Sequence, residues 1–252
     1  MAFSVVIPAR YGATRLPGKP LLDIAGKPML QHTYERASAS SATAVYIATD
    51  DERIKSAAEG FGAKVCMTDA NHRSGTDRIQ EVATQLGLPD DAIIVNVQAD
   101  EPLLPPDVID QVAVNLQAHA AAGIATLCEP MSSKEEIEDP NAVKVVMNEI
   151  GMALYFSRAT IPWQASTSAR NCYRHVGIYA YRVAVLNQFV QWPPAELEVQ
   201  EKLEQLRALY HGIPIHVAVS AARIPPGVDT EKDLEAVRAH IRADPAKPAG
   251  AA

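Results

Sequence analysis

Short apolar runs alternate with helical patterns through the first half of the chain. Each run has the length of one buried strand and is followed by proline or polar residues; the runs cover residues 3–7, 44–49, 64–67 and 93–97. A helical pattern follows each of the first three runs. This alternation predicts an α/β fold with a doubly wound, mostly parallel sheet and right-handed crossovers. Such a sheet binds ligands beyond the carboxyl ends of its strands.

The second half of the chain has a different pattern. Residues 143–148 and 153–157 predict a hairpin, and residues 176–181 and 215–219 predict two further strands. One helix is expected over about 197–210, and a last helix is expected after Asp229-Thr230, as far as about residue 241. We therefore expect one α/β domain that carries a smaller inserted lobe.

A basic loop joins the first strand to the first helix. Four cations against one acid leave residues 1–28 with a net charge of +3, whereas the whole chain carries −7. Arg10, Arg15 and Lys19 lie in this loop among glycines and prolines. A cationic loop between a strand and a helix predicts a phosphate site, although a solvated surface loop is the alternative. The sequence contains neither a Walker loop nor a G-x-G-x-x-G fingerprint.

Composition excludes several classes of protein. The net acidic charge argues against nucleic acid as a partner, and no apolar run is long enough to cross a membrane. We expect no signal peptide, because the first predicted strand begins within about three residues of the start. Cys66, Cys128 and Cys172 form no C-x-x-C pair, so we expect neither a disulfide framework nor a zinc site. These features predict a protein of the reducing cytoplasm.

Two aspartates follow or precede predicted elements. Asp100 comes just after the strand at 93–97, and Asp229 comes just before the last helix. Taken alone, the first is an ordinary turn residue and the second an ordinary helix cap. Near a phosphate loop, two carboxylates would instead form a Mg²⁺ site, because Mg²⁺ takes one or two carboxylates together with phosphate oxygens and water. The sequence does not show whether the two residues lie close together.

Eight blocks of residues carry a family resemblance. The block at 8–20 resembles the sugar cytidylyltransferases. The other seven narrow the resemblance to the 3-deoxy-manno-octulosonate (Kdo) cytidylyltransferases; they lie at 72–78, 95–102, 141–146, 155–163, 175–179, 203–207 and 227–230. The blocks appear in order across about residues 3–235, so the resemblance covers most of the chain.

The resemblance implies a fold, a reaction and a nucleotide site. The fold would be that of the nucleotide-diphospho-sugar transferases, and the reaction would convert CTP and Kdo into CMP-Kdo and pyrophosphate for lipopolysaccharide assembly. Lys19, Asp100 and Asp229 would be catalytic, with both aspartates as ligands of Mg²⁺. The matched residues that would bind the nucleotide are Arg10, Arg15, Lys19, Arg73, Ser74 and Gln98.

The resemblance also implies a sugar site and a homodimer. The matched sugar-binding candidates are Arg158, His175, Tyr179, Glu201, Glu204 and Gln205. Glu201, Glu204 and Gln205 are spaced for one helix face, where an exposed polar stripe is the alternative. The implied organisation is a nucleotide-binding region at 1–130, a sugar-binding and dimerisation lobe at 131–213, a return to the main sheet at 214–242 and a disordered tail at 243–252.

Departures from the family and rival functions remain open at this stage. Ala99 stands where the family has glycine, which matters only if the backbone there needs a positive φ. Residues 163–172 also differ from the family. A related enzyme acting on an amino derivative of Kdo or on sialic acid is one alternative. A nucleotide-binding regulator without turnover is another.

Overall fold

The computed structural model describes residues 2–12, 16–163 and 172–243. The strands are β1 (Ser4–Ala9), β2 (Asp23–Ile24), β3 (Lys27–Pro28), β4 (Ala44–Thr49), β5 (Lys64–Met67), β6 (Ile93–Asn96), β7 (Ile124–Pro130), β8 (Lys144–Met147), β9 (Ala153–Ser157), β10 (Tyr173–Arg182) and β11 (Ile215–Val219). The helices are α1 (Met29–Ser38), α2 (Glu52–Gly60), α3 (Gly75–Gln85), α4 (Pro106–Ala118), α5 (Lys134–Glu138), α6 (Val183–Phe189), α7 (Glu196–Glu201), α8 (Gln205–Tyr210) and α9 (Glu231–Ala243).

One nine-stranded sheet forms the centre of the molecule. Seven of its strands lie in the order β11-β7-β10-β6-β1-β4-β5, and β8 and β9 extend the sheet from β10. Strand β1 runs parallel to β4 and β6, while β10 runs antiparallel to both β6 and β7. Six of the seven strands therefore point the same way. The predicted α/β fold with a mostly parallel sheet is confirmed, with β10 as the antiparallel exception.

Helices cover both faces of this sheet, and alternate residues of β1 show why. Val5 and Ile7 pack in one core cluster with residues of α1 and α4, whereas Val6 packs in a second cluster with residues of α3 and α6. Neighbouring side chains of a strand point to opposite faces, so a strand covered on both sides must be apolar throughout. This explains the uninterrupted apolar runs.

The helix predicted over 197–210 is wrong as a single element. It is two short helices, α7 and α8, separated at Lys202, whose φ of 54° lies in the left-handed region. The backbone of Leu203 donates a hydrogen bond to the Glu198 carbonyl across this break, which ends α7. The chain then turns before α8, so the residues on either side of Lys202 do not share one helix face.

The remaining strand predictions agree with the structure, including the hairpin of β8 and β9. Strand β10 is longer than predicted: one of its sides pairs with β7, and the other pairs with β8 near its start and with β6 near its end, so it joins the hairpin to the main sheet. The division of the chain into functional regions stays a prediction, and residues 244–252 of the predicted tail lie outside the described residues. Within the described residues, no helix has the length and apolar character needed to cross a membrane.

Candidate active site

The loop after β1 is held by backbone and side-chain contacts. Gly18 has a φ of 68° and donates its N–H to the Tyr11 carbonyl at 3.1 Å, which closes the loop before a single 3₁₀ turn beginning at Lys19. The Arg53 guanidinium lies 3.3 Å from the centre of the Tyr11 ring. Arg10 donates from Nη2 to the Ser74 carbonyl at 2.8 Å. The predicted phosphate ligand Arg15 lies outside the described residues.

Lys19 brings the two predicted aspartates together. Its Nζ lies 2.6 Å from Asp100 Oδ2 and 3.1 Å from Asp229 Oδ1. Burial acts to lower the pKa of Lys19, but the hydrogen bonds and charges of Asp100 and Asp229 outweigh it and raise that pKa above its usual value. The ammonium is therefore protonated and bridges both carboxylates.

A backbone contact explains how Asp229 reaches this position. The N–H of Val228 donates to the Asp100 carbonyl at 2.8 Å, which ties the segment before α9 to the loop after β6. The start of α9 is capped by Thr230, whose Oγ1 accepts from the N–H of Asp233 while the Asp233 carboxylate accepts from the N–H of Thr230. The helix therefore does not require the Asp229 carboxylate as its cap, and Asp229 contacts Lys19 instead.

A cavity of about 330 Å³ opens beside Lys19. It lies at the carboxyl ends of β1 and β6, and its lining is Pro8, Arg10, Lys19, Pro20, Met29, Arg73, Ser74, Gly75, Gln98, Ala99 and Asp100. All the predicted nucleotide ligands in the described residues therefore face one space. Ser74 also caps α3 in a capping box with Asp77, so the positive end of that helix dipole opens onto the cavity wall.

Ala99 fits this wall without strain. Its carbonyl accepts a hydrogen bond from Thr33 Oγ1 at 3.1 Å. Among the described non-glycine residues, positive φ values occur at Ala25 and Lys202 and not at Ala99. The backbone there does not need glycine, so the departure from the family pattern is sterically harmless.

A second cavity of about 260 Å³ adjoins the first, because Gln98 lines both. Its lining is Asn96, Gln98, Ile124, His175, Gly177, Tyr179, Tyr181, Phe189, Leu203, Glu204 and Gln205. Four of the six predicted sugar ligands, His175, Tyr179, Glu204 and Gln205, are therefore brought together here. Arg158 and Glu201 do not line this cavity.

Arg158 and Glu201 are engaged with each other and with the backbone. The Glu201 carboxylate accepts from Ser157 Oγ at 2.6 Å and from the N–H of Arg158 at 2.9 Å. The Arg158 side chain donates from Nε to the Glu201 carbonyl at 2.8 Å and from Nη1 to the Pro140 carbonyl at 3.0 Å. These contacts fasten α7 to β9. The predicted common helix face of Glu201 with Glu204 and Gln205 is wrong because of the break at Lys202.

The polar groups of the second cavity have defined charge states. Burial, with a smaller effect from Arg174, lowers the pKa of His175 to about 3, so the imidazole is neutral at pH 7. Its Nε2 lies 3.0 Å from Thr126 Oγ1. Burial also raises the pKa of the Tyr179 phenol. Glu204 accepts a hydrogen bond from Thr76 Oγ1 at 2.6 Å, which links α8 to the start of α3.

Three residues near the cavities were not identified from the sequence. Asn96 and Tyr181 line the second cavity, and Glu101, which follows Asp100, is partly exposed but has its Oε2 atom buried. Burial, followed by the charge of Asp100, raises the pKa of Glu101 to about 8. Asn96 could have been identified as a candidate because it is a polar residue at the end of the otherwise apolar strand β6. Glu101 could not, because its environment depends on the tertiary fold.

Comparisons with known proteins agree on one family. A family model described as cytidylyltransferase matches residues 4–217. The chain is 59% identical over 247 residues to a 3-deoxy-manno-octulosonate cytidylyltransferase from Hahella chejuensis, with 94% of this chain and 97% of the relative covered. It is 58% identical over 249 residues to the protein of the same name from Cellvibrio japonicus, with 95% and 98% covered.

Solved structures support the same assignment. The fold matches a CMP:2-keto-3-deoxy-manno-octonic acid synthetase complexed with CTP at a TM-score of 0.91 and 45% identity, covering 96% of this chain and 99% of that one. A cytidylyltransferase from Leptospira borgpetersenii shares the fold at a TM-score of 0.63 and 16% identity, covering 96% and 87%. The chain belongs to the cytidylyltransferase family and, within it, to the 3-deoxy-manno-octulosonate cytidylyltransferases.

Proposed function

We propose that this enzyme transfers the cytidylyl group of CTP to the anomeric hydroxyl of Kdo and releases pyrophosphate. The observation that carries the proposal is the convergence of Lys19, Asp100 and Asp229 beside two adjoining cavities that share Gln98. One cavity has a basic wall suited to a nucleotide, and the other has imidazole, phenol, amide and carboxylate groups suited to a sugar. Relatives of high identity that carry the name of this activity support the same conclusion.

The chemistry asks mainly for positioning and charge neutralisation. The sugar hydroxyl loses its proton to water, and its oxygen forms a bond to the α-phosphorus as the bond from that phosphorus to pyrophosphate breaks. Negative charge collects on the phosphate oxygens. Arg10 and Lys19 supply positive charge at this wall of the cavity, and Arg15 is proposed to add to it. Arg73, Ser74 and Gln98 hold the cytosine and ribose. A base site that pairs with the amino group of cytosine rejects uracil, because its acceptor would be left unpaired.

The residues at Lys19 also fit Mg²⁺. Asp100 and Asp229 both present a carboxylate oxygen to the one ammonium, so they already converge on a cation. Two carboxylates with phosphate oxygens and water make a suitable set of ligands for Mg²⁺. When bound, Mg²⁺ would neutralise phosphate charge and lower the pKa of a coordinated hydroxyl. Asp100 and Asp229 would hold the ion, and Lys19 would then turn its ammonium to the phosphates.

The second cavity is the proposed sugar site. His175, Tyr179 and Gln205 would contact the hydroxyls and carboxylate of Kdo directly, and Glu204 would accept hydrogen bonds from its hydroxyls. Arg158 and Glu201 would not contact the sugar. Their contacts fix α7 against β9 and so set the position of α8. Neutral His175 can offer one donor or one acceptor without adding charge to the site.

A homodimer is part of the proposal. Strand β9 pairs with β8 alone among the described strands, so it is an edge of the sheet. Leu154 on this strand is 62% exposed, and Trp163 shortly after it is 84% exposed. An edge strand with exposed apolar side chains is suited to a second copy of the chain. We further propose that the enzyme works in the cytoplasm, where CTP is available, and serves lipopolysaccharide synthesis.

Release of pyrophosphate with CTP and Mg²⁺ tests the function against a panel of acid sugars. We expect rapid release with Kdo, slower release with an amino derivative of Kdo and little with sialic acid. Turnover of sialic acid but not of Kdo would contradict the proposed substrate. Tight binding of CTP without pyrophosphate release from any sugar would favour a regulator instead of an enzyme.

A further inference from the structure

Asn96 is a buried polar residue with one atom unpaired. It is the last residue of β6 and only 4% exposed, and the other residues of this strand are apolar. Its side-chain oxygen Oδ1 is buried and has no hydrogen-bond partner among the described residues. Buried polar atoms in folded proteins are nearly always paired, so an unpaired acceptor at a cavity wall needs an explanation.

The side chains around Asn96 leave its Oδ1 without a hydrogen-bond donor among the described residues. Burial raises the pKa of the Tyr181 phenol, and the side chains of Thr76 and Asn96 face that phenol and act in the opposite direction. An asparagine side chain donates only from Nδ2, so the Asn96 group that faces the phenol is Nδ2, and Oδ1 is left without a partner. The hydroxyl proton of Thr76 is donated to Glu204. The amide is thus oriented by its nitrogen, and its oxygen is left as a fixed acceptor.

The residue that carries this acceptor lines the second cavity. Asn96 lines that cavity and lies opposite Tyr179 in the pairing of β6 with β10. Glu204, another acceptor, lines the same cavity. A wall with the amide oxygen of Asn96 and the carboxylate of Glu204 attracts hydrogen-bond donors and repels a ligand carboxylate. The hydroxyl-bearing part of an acid sugar suits this wall, and its carboxylate does not.

We propose that Asn96 Oδ1 accepts a hydrogen bond from a sugar hydroxyl and so determines which acid sugars are used. This inference rests on the proposed function, since it assigns a residue to the sugar site. A site built to pair with a hydroxyl rejects an analogue that lacks it, because the buried acceptor is then left unpaired. Asn96 therefore selects for a hydroxyl at one position of the sugar chain.

The test combines substitutions at Asn96 with Kdo analogues that each lack one hydroxyl. We expect Asn96→Leu to raise KM for Kdo about tenfold, the size of one lost hydrogen bond, and to leave KM for CTP unchanged. With the parent enzyme, kcat/KM for one deoxy analogue should be about tenfold lower than kcat/KM for Kdo. With Asn96→Leu, that analogue and Kdo should have the same kcat/KM. Asn96→Asp, which keeps an acceptor, should retain the discrimination.

Several outcomes would overturn the inference. If kcat/KM falls by the same factor in the parent and in Asn96→Leu for every deoxy analogue, Asn96 does not bind a sugar hydroxyl. CTP binding by calorimetry verifies that the variant is folded. If Asn96→Leu does not fold, Asn96→Ser, which is too short to make the contact, must lose the same discrimination. If the parent enzyme converts Kdo but the effect of Asn96→Leu does not depend on which hydroxyl is missing, the inference alone is contradicted. If the parent enzyme is inactive with Kdo, the proposed function is contradicted and the inference with it.

Discussion

The Lys19 ammonium lies 2.6 Å from the Asp100 carboxylate, although 81 residues separate them in the chain. The Lys19 side chain is only 13% exposed, whereas the Asp100 side chain is 32% exposed, so water reaches this pair from the side of the carboxylate. A lysine held between carboxylates can exchange those partners for phosphate oxygens when a cation takes its place. We therefore propose that a metal ion takes the place of the ammonium between the two carboxylates while the ammonium turns to the triphosphate.

Asp100→Asn tests the proposed metal site. The substitution keeps the size of the side chain but removes a charged oxygen ligand, so we expect kcat to fall about 100-fold or more at low Mg²⁺. Part of the loss should be recovered at high Mg²⁺, because a weaker site still fills. The measurement is pyrophosphate release across a magnesium titration, together with Mg²⁺ binding by calorimetry.

Asp91→Asn is the matched control for this titration, since Asp91 is exposed in the turn before β6. It should follow the parent curve at every Mg²⁺ concentration. If Asp100→Asn and the parent release pyrophosphate at the same rate at every Mg²⁺ concentration, Asp100 is not a ligand of the metal.

Lys19→Ala separates catalysis from substrate binding. Loss of a cation that stabilises developing phosphate charge should lower kcat by about 100- to 1,000-fold and change KM for Kdo much less. Lys27→Ala removes an exposed lysine paired with Glu35 and should leave both constants unchanged. Steady-state kinetics with each substrate varied in turn gives the values. A large rise in KM with kcat preserved would reassign Lys19 to simple binding.

The sequence predicts the nucleotide half of the site well for a physical reason. Local patterns place β1, β6 and the start of α3, and the carboxyl ends of parallel strands lie at one edge of a sheet. Arg10, Lys19, Ser74 and Gln98 were therefore expected near one another, as the structure shows. The contact of Asp229 with Lys19 could not be predicted this way, because it depends on a backbone hydrogen bond between distant loops.

The middle of the chain shows two other kinds of failure. Helix α4 received no prediction, although Pro106 at its first turn and the helical spacing of Val108, Val112 and Leu116 were available signals. The break between α7 and α8 had no such signal, because Lys202 is an unusual residue for a left-handed conformation. The helical spacing of the side chains continues through Lys202, although the backbone turns there.

Lys202→Gly should stabilise the protein. Lys202 is exposed and has a φ of 54°, a conformation that costs a residue with a side chain about 1–2 kcal/mol and costs glycine little. After the entropy that glycine adds to the unfolded chain is subtracted, we expect a gain of about 0.5–1 kcal/mol. Denaturant unfolding measures this gain.

Lys55→Gly in the middle of α2 is the control for this change, because Lys55 has no positive φ. It should destabilise the protein by about 1 kcal/mol. Destabilisation of similar size by both substitutions would show that the left-handed backbone at position 202 carries no strain.

His216 should make the protein sensitive to mild acid. Burial, followed by the nearby charge of His119, lowers the pKa of His216 to about 4, and its ring stacks on that of His119 at 3.6 Å. The unfolded chain binds this proton near pH 6.5, so folding stability from the neutral ring is complete above that pH and is lost as pH falls towards 4. Between pH 7.5 and pH 5, His216→Gln should lose about 2 kcal/mol less unfolding free energy than the parent. His240→Gln, at an exposed position in α9, is the control and should show the same pH dependence of the unfolding free energy as the parent. If the unfolding free energy of His216→Gln also changes with pH as the parent's does, His216 is not a neutral buried residue.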